Sequence, residues 1–237
     1  MTTRALATGR LDHPRFEIEM VAESDIEVFR LGSCAKEPET IAWIENHIRP
    51  GDVFYDVGAN VGAYSLVADR QMDGTGRVYA FEPGFSTFPT LVRNVFLNNF
   101  QDRVVPLSVA LADSSGLVPI TYSTVEAGGA KHTFGQTSAE QPWQRVVSFA
   151  LDEFRERFGL EQPNLIKIDV DGAEPLVLRG APQTLRDPAL RSVLVEVTEG
   201  EPETEEIVGL LEAGGLSLAS KHFHERSGVS NFVFARG

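Results

Sequence analysis

Three short segments of the chain hold residue types at spacings that suit chemistry. The first is Asp56-Val57-Gly58-Ala59-Asn60-Val61-Gly62. Gly58 lets a chain turn sharply off a strand, and Gly62 allows close approach at the start of a helix, where exposed N–H groups attract a negatively charged ligand group. The spacing is not the dinucleotide pattern G-x-G-x-x-G. Asp56 also sets a carboxylate two residues before the first glycine, which repels a pyrophosphate and welcomes a cationic group. The second segment is Phe81-Glu82-Pro83. A carboxylate there, 20 residues beyond Gly62, can accept both hydroxyls of a ribose. The third is Lys167-Ile168-Asp169-Val170-Asp171-Gly172-Ala173-Glu174, with three carboxylates in six residues. Extended geometry puts Lys167, Asp169 and Asp171 on one side. One acid there could face a sulfonium centre or act as general base, and two could hold a divalent cation. Glu174 could instead stabilise the start of the next helix.

A ligand that joins a ribose to a cationic centre and an amino-acid tail is S-adenosylmethionine. The sequence therefore points to that cofactor, with a divalent cation left open.

These segments need a scaffold that brings strand ends together. Short apolar runs at 53–57, 77–81, 104–111, 165–170 and 192–197 read as buried strands. Helical spacing falls between them, at 62–70, 85–98, 152–158, 176–185 and 203–213. Such alternation means right-handed βαβ units and a mainly parallel, doubly wound α/β sheet. Runs at 216–219 and 229–235 have no helix between them and close the sheet as an antiparallel hairpin. Ahead of this core, 1–14 lacks periodicity and is expected to fray, 16–20 and 26–31 read as strands, and 38–48 reads as a helix. The chain is expected to be one domain over 1–237, with a cap at 1–50, a core at 51–237 and an insertion near 114–150. Ligands on such sheets lie at the carboxyl ends of the strands.

Composition narrows the partners. The 237 residues are 42% hydrophobic and 23% charged, with a net charge of −13. Disorder is excluded by that balance, and a nucleic acid or an anionic membrane is repelled by that field. Cys34 is the sole cysteine, so no intrachain disulfide forms. No apolar leader or membrane-length run is present, and a cytoplasmic protein is expected. A homodimer is left open.

Together, 56–65, Phe81-Glu82-Pro83 and 164–174 resemble the FkbM family of S-adenosylmethionine-dependent methyltransferases over about 37–197. The resemblance implies the seven-stranded class I methyltransferase fold and methylation of hydroxyl oxygens, often on sugars or secondary metabolites. It places the family's cofactor loop on Asp56, Gly58, Asn60 and Gly62, its ribose acid on Glu82, and its acidic loop on Asp169, Asp171 and Glu174. Glu37 and Glu39, flanking Pro38, resemble its Glu-Pro segment. The expected cofactor set is thus Glu37, Asp56, Gly58, Asn60, Gly62, Glu82, Ser108 and Asp169. Family members often carry a His soon after the fifth-strand Glu, whereas here Glu196 is followed by Val197-Thr198-Glu199.

A hydroxyl acceptor must lose its proton to a base or a metal. Asp169 is the first candidate, His132 the second, and a cation held by Asp169 and Glu196 the third. His222 and His224, expected in the last hairpin turn, are weaker candidates, and His13 and His47 read as surface residues. Trp43 reads as packing and Cys34 as inert. Trp143 could lie against the acceptor, and 126–141, with three glycines, could form a mobile lid. A nicotinamide-dependent oxidoreductase is disfavoured by Asp56 and the missing glycine pattern. A non-catalytic nucleoside-binding module is disfavoured by the acidic loop.

Overall fold

The computed structural model describes residues 6–130, 132–225 and 228–237. β1 (Thr8–Arg10) and β2 (Glu19–Val21) form an antiparallel pair. Leu11, Ile18 and Met20 beside them are buried. This corrects the expectation of a frayed start over 6–14, while 1–5 lie outside the described residues. Segment 26–31, expected as a strand, is instead α1 (Asp25–Arg30). Its alternation of apolar residues is outweighed by a capping box. Ser24 Oγ accepts from the Glu27 amide at 3.2 Å, and the Glu27 carboxylate accepts from the Ser24 amide at 3.1 Å. α2 (Ser33–Lys36) and α3 (Pro38–His47) follow, the latter with proline in its first turn.

The core then runs β3 (Val53–Val57), α4 (Ala63–Gln71), β4 (Arg77–Phe81), α5 (Thr87–Leu97), β5 (Val104–Leu107), β6 (Ala110–Ala112), β7 (Gly116–Thr121), β8 (Thr133–Phe134), β9 (Trp143–Ala150), α6 (Leu151–Phe158) and β10 (Leu165–Ile168). It ends with α7 (Glu174–Arg179), α8 (Pro182–Arg186), β11 (Ser192–Val197), α9 (Pro202–Ala213), β12 (Ser217–His224) and β13 (Val229–Ala235). The main sheet has seven strands in the order β12-β13-β11-β10-β3-β4-β5. β11, β10, β3, β4 and β5 are parallel, and β13 is antiparallel to both its neighbours. The antiparallel ending read from the sequence is therefore present.

Each face of the sheet is covered. Ile44, Leu66 and Leu91 pack on one side, and Val177, Leu185 and Leu211 on the other. Each such side chain contributes roughly 1.5–3 kcal/mol when fully buried. Trp43 packs against Phe54 and donates its indole N–H to Ser192 Oγ at 2.9 Å, as a packing residue should.

Two runs read as continuous are broken. The stretch 104–111 divides at Ser108, and β6 leaves the main sheet for a second one ordered β6-β9-β7-β8. β6 instead packs beneath Gly180, where a Cβ would meet the Ala112 carbonyl oxygen at 2.1 Å. The helix expected over 176–185 is α7 and α8, because Pro182 starts a new helix rather than continuing the old one. Among the described residues no helix is long and apolar enough to cross a membrane.

Candidate active site

A cavity of about 510 Å³ opens over the carboxyl ends of the parallel strands. Asn60, Glu82 and Tyr122 line one end, Glu37, Lys167 and Asp169 the middle, and Glu196, Thr198 and His224 the other end. The order along the cavity follows the sheet, with the tips of β4, β3, β10 and β11 in succession.

The loop after β3 is fixed by its own hydrogen bonds. Gly58 has φ +82, and a Cβ there would lie 1.8 Å from the Asp169 carbonyl oxygen, so only glycine fits. The Gly58 and Ala59 amides both donate to Phe81 O at 3.0 Å. The Asn60 amide donates to Glu82 Oε2 at 3.0 Å, the Val61 amide to Asn60 Oδ1 at 2.9 Å, and the Gly62 amide to Ala59 O at 2.8 Å. The amides from Gly58 to Gly62 are thus committed inside the loop. Glu82 also accepts from the Gly84 amide at 2.7 Å. Burial pushes its carboxyl up to about 7, with those two backbone bonds pulling the other way. Beside it, the buried Tyr122 hydroxyl has no hydrogen-bond partner, with the Phe85 amide and the Glu82 carboxylate as neighbours.

A strap closes over this end. Asn60 Nδ2 donates to Gly129 O at 2.7 Å, and Arg30 donates to Gly128 O from Nε at 2.8 Å and from Nη2 at 2.6 Å. His132 follows in the strap and lines the cavity. Its amide donates to Asp171 Oδ2 at 3.0 Å, and its ring meets Tyr122 edge-on. Burial lowers its pKa, partly offset by Asp171.

In the middle, Lys167 Nζ donates to Asp169 Oδ2 at 2.9 Å and lies over the Tyr64 ring at 5.0 Å. Burial opposes the charge on Lys167, but Asp169, Asp56 and Glu37 outweigh it and raise its pKa. Burial likewise opposes the charge on Asp169, but Lys167 overrides it and holds the carboxyl below its ordinary value. Asp169 is therefore a weaker base than its position in the sequence suggests. Glu196, in contrast, is pushed up to about 8, first by burial and then by Asp169. Glu174 accepts from the Val170 amide at 2.9 Å and the Gly172 amide at 3.3 Å, holding the turn at the start of α7.

Of the expected cofactor residues, Glu37, Gly58, Asn60, Glu82 and Asp169 line the cavity, and Asp56, Gly62 and Ser108 do not. Asp56 is fully buried beneath the loop and accepts from Ser65 Oγ at 2.6 Å. Gly62 caps α4 at φ +89, and Ser108 is exposed in the break between β5 and β6. His13, expected at the surface, is buried and stacked on Phe16, where its Nδ1 accepts from the Arg15 and Phe16 amides. His222 and His224 lie within β12 rather than in the hairpin turn. Trp143 is exposed on β9 and outside the cavity lining. Cys34 is buried, and burial raises its thiol pKa, as expected of an inert residue.

Sequence reasoning passed over Lys167, Tyr122 and Arg30 as site residues. For Lys167 a signal existed, since a lysine between two isoleucines in a buried strand needs a charged partner inside. Among the described residues no group of three or more His, Cys, Asp or Glu is placed to hold a metal ion. Asp169 is instead already paired with the Lys167 ammonium at 2.9 Å, whose charge Glu196 also feels, so these donors do not fit a cation.

Residues 56–218 match the family described as the methyltransferase FkbM domain. The chain belongs to the FkbM methyltransferase family. Hexuronic acid methyltransferase AglP of Haloferax volcanii is 27% identical over 219 residues, covering 90% of this chain and 86% of that one. A second FkbM relative, the 31-O-demethyl-FK506 methyltransferase FkbM of Streptomyces tacrolimicus, is 29% identical over 203 residues, covering 73% and 76%. The crystal structure of methyltransferase FkbM from Methylobacillus flagellatus superposes with a TM-score of 0.57 at 15% identity. That match covers 89% of this chain but 52% of the other, so this FkbM chain spans about half of that protein. The shared fold is the class I methyltransferase fold.

Proposed function

We propose that this FkbM family member uses S-adenosylmethionine to methylate a hydroxyl oxygen of a sugar or secondary-metabolite acceptor. The observation that carries the donor is Glu82, a buried carboxylate at the tip of β4 that accepts from the Asn60 amide of the glycine loop. The residues fit the donor. Gly58 keeps the backbone bare beside Asp169, and the unpartnered Tyr122 hydroxyl offers a polar contact next to Glu82. Bound there, S-adenosylmethionine supplies a methyl group made electrophilic by its sulfonium.

Glu82 accepts the ribose hydroxyls. Glu37 and Asp169, both in the cavity lining, hold the polar amino-acid end. The strap from Gly128 to His132 excludes water from the nucleoside end. Alignment of acceptor oxygen, methyl and sulfur supplies much of the rate. The name of one relative, a 31-O-demethyl-FK506 methyltransferase, supports an oxygen acceptor, and that of another, a hexuronic acid methyltransferase, supports a sugar acceptor. A net charge of −13 favours a small acceptor over a nucleic acid.

Calorimetry with S-adenosylhomocysteine and with NAD tests the donor. S-adenosylhomocysteine should bind and NAD should not. Tighter binding of NAD would return the chain to the oxidoreductase reading. Methyl transfer to hydroxyl acceptors, followed by mass, then separates an enzyme from a nucleoside-binding module.

A further inference from the structure

His224 ends β12 and lines the far end of the cavity with Glu196, Thr198 and Val229. Its Nε2 lies 2.8 Å from Glu39 Oε1, in the first turn of α3, and both side chains are mostly buried. Asn231 on β13 donates to the same carboxylate oxygen at 3.0 Å and to Thr40 Oγ1 at 3.2 Å, and lies 3.1 Å from the His224 ring nitrogen. Three elements thus converge to fix one imidazole. His224 lies outside the residues that the family model matches.

We infer that His224, oriented by Glu39, is the base that takes the proton of the acceptor hydroxyl; this rests on the donor site proposed above. The donor occupies the tips of β4, β3 and β10, which leaves the acceptor the tips of β11, β13 and β12, where His224 stands. A carboxylate at Nε2 selects the tautomer with hydrogen on Nε2 and a lone pair on Nδ1. Other groups facing this end are Glu196 and Lys36 in the cavity wall and the Lys221–Glu199 pair on β12 and after β11.

In the step, the acceptor O–H bond breaks and its proton goes to Nδ1. The oxygen's electron pair forms the new bond to the methyl carbon. The carbon–sulfur bond breaks with its pair on sulfur, so a sulfonium becomes a neutral thioether. The imidazolium then gives its proton to water.

Ring-nitrogen NMR of the whole protein tests the tautomer without any acceptor, with His224→Asn assigning the signal. The neutral ring should carry its hydrogen on Nε2, and Glu39→Gln should erode that preference. Hydrogen on Nδ1 in the wild type overturns the inference. Turnover is then measured with S-adenosylmethionine and methyl glucoside, whose acceptor groups are all hydroxyls. His224→Asn should lower kcat by about 10²–10⁴-fold, the usual share of general acid–base catalysis, with S-adenosylhomocysteine affinity unchanged. Wild-type kcat in a folded His224→Asn protein also overturns it. If the wild type binds S-adenosylhomocysteine but leaves this glucoside untouched, the tautomer decides the base. If the wild type does not bind S-adenosylhomocysteine, the donor reading fails instead.

Discussion

Lys167 places its ammonium 2.9 Å from the Asp169 carboxylate, on a side chain only 2% exposed. One buried cation is shared among Asp169, Asp56 and Glu37, so the floor of the cavity is an electrostatic unit rather than a row of separate acids.

Removing the cation should therefore be worse than removing one acid. Lys167→Met should cost about 3–5 kcal/mol, because it strands buried carboxylates. Asp169→Asn, which leaves Lys167 two acids, should cost less. Thermal unfolding of both variants checks the order. Asp169 is held below its ordinary pKa, so its contribution is complete above the ordinary carboxylate range and is lost as pH falls through it. An Asp169→Asn protein less stable than Lys167→Met would contradict the arrangement.

Donor affinity should depend on pH through Glu82. Its carboxyl is raised to about 7 without ligand, and ribose hydroxyls bind the ionised form. Below that value a proton must leave first, so affinity tightens with rising pH, by at most about tenfold per unit, and levels off above it. Glu82→Gln should bind S-adenosylhomocysteine weaker by roughly 1–3 kcal/mol and with little pH dependence. Calorimetry across this range reads both effects, and a flat wild-type profile would count against the ribose role.

Gly58 admits no side chain. Gly58→Ala drives a methyl group into the Asp169 carbonyl at a backbone angle that L-residues rarely adopt. S-adenosylhomocysteine binding should be lost, and stability should fall by at least about 1 kcal/mol. Retained affinity in a folded variant would show that the loop can move aside.

Hydrogen exchange should divide the segment expected to be a uniform mobile lid. Gly128 and Gly129 are buried, the Gly128 amide donates to Thr87 Oγ1, and Arg30 and Asn60 hold their carbonyls. Their amides should exchange slowly without acceptor, while the exposed Gln136, Thr137 and Ala139 exchange fast. Equal, fast exchange across 126–141 would remove the clasp.

The capping box gives a prediction away from the site. Ser24→Ala should destabilise the protein by about 1 kcal/mol. Tm is the readout, and no change would mean that α1 is held by packing alone.

Much of the scaffold could be read because its strands are buried on both faces. Ser192–Val197 and Val229–Ala235 were bounded correctly by their apolar runs. The failures have local causes. Ile26 and Val28 alternate like a strand, yet Ser24 and Glu27 three residues apart already spelled a capping box. After the break at Ser108, β6 pairs with β9 and lies against Gly180, both far along the chain, which no local pattern reveals. In the site, Gly58, Asn60, Glu82 and Asp169, singled out by type and spacing, line the cavity. Asp56 was misplaced because a carboxylate beside a glycine loop looks alike whether it faces ligand or Ser65. The contact of Glu39 with His224 joins opposite ends of the chain and leaves no trace in spacing.

The second sheet is inserted through a narrow doorway. β6 enters it and β9 leaves it side by side, with Ala110 opposite Ser148 and Ala112 opposite Ala150. Both junctions therefore sit within a few residues of one another, on a main sheet that is otherwise undisturbed. A foreign segment with closely spaced ends could replace 113–147 without stretching the parent framework. Relatives could thus diverge in this cassette, and chimeras could exchange it, while Gly58 and the floor around Lys167 stay as they are.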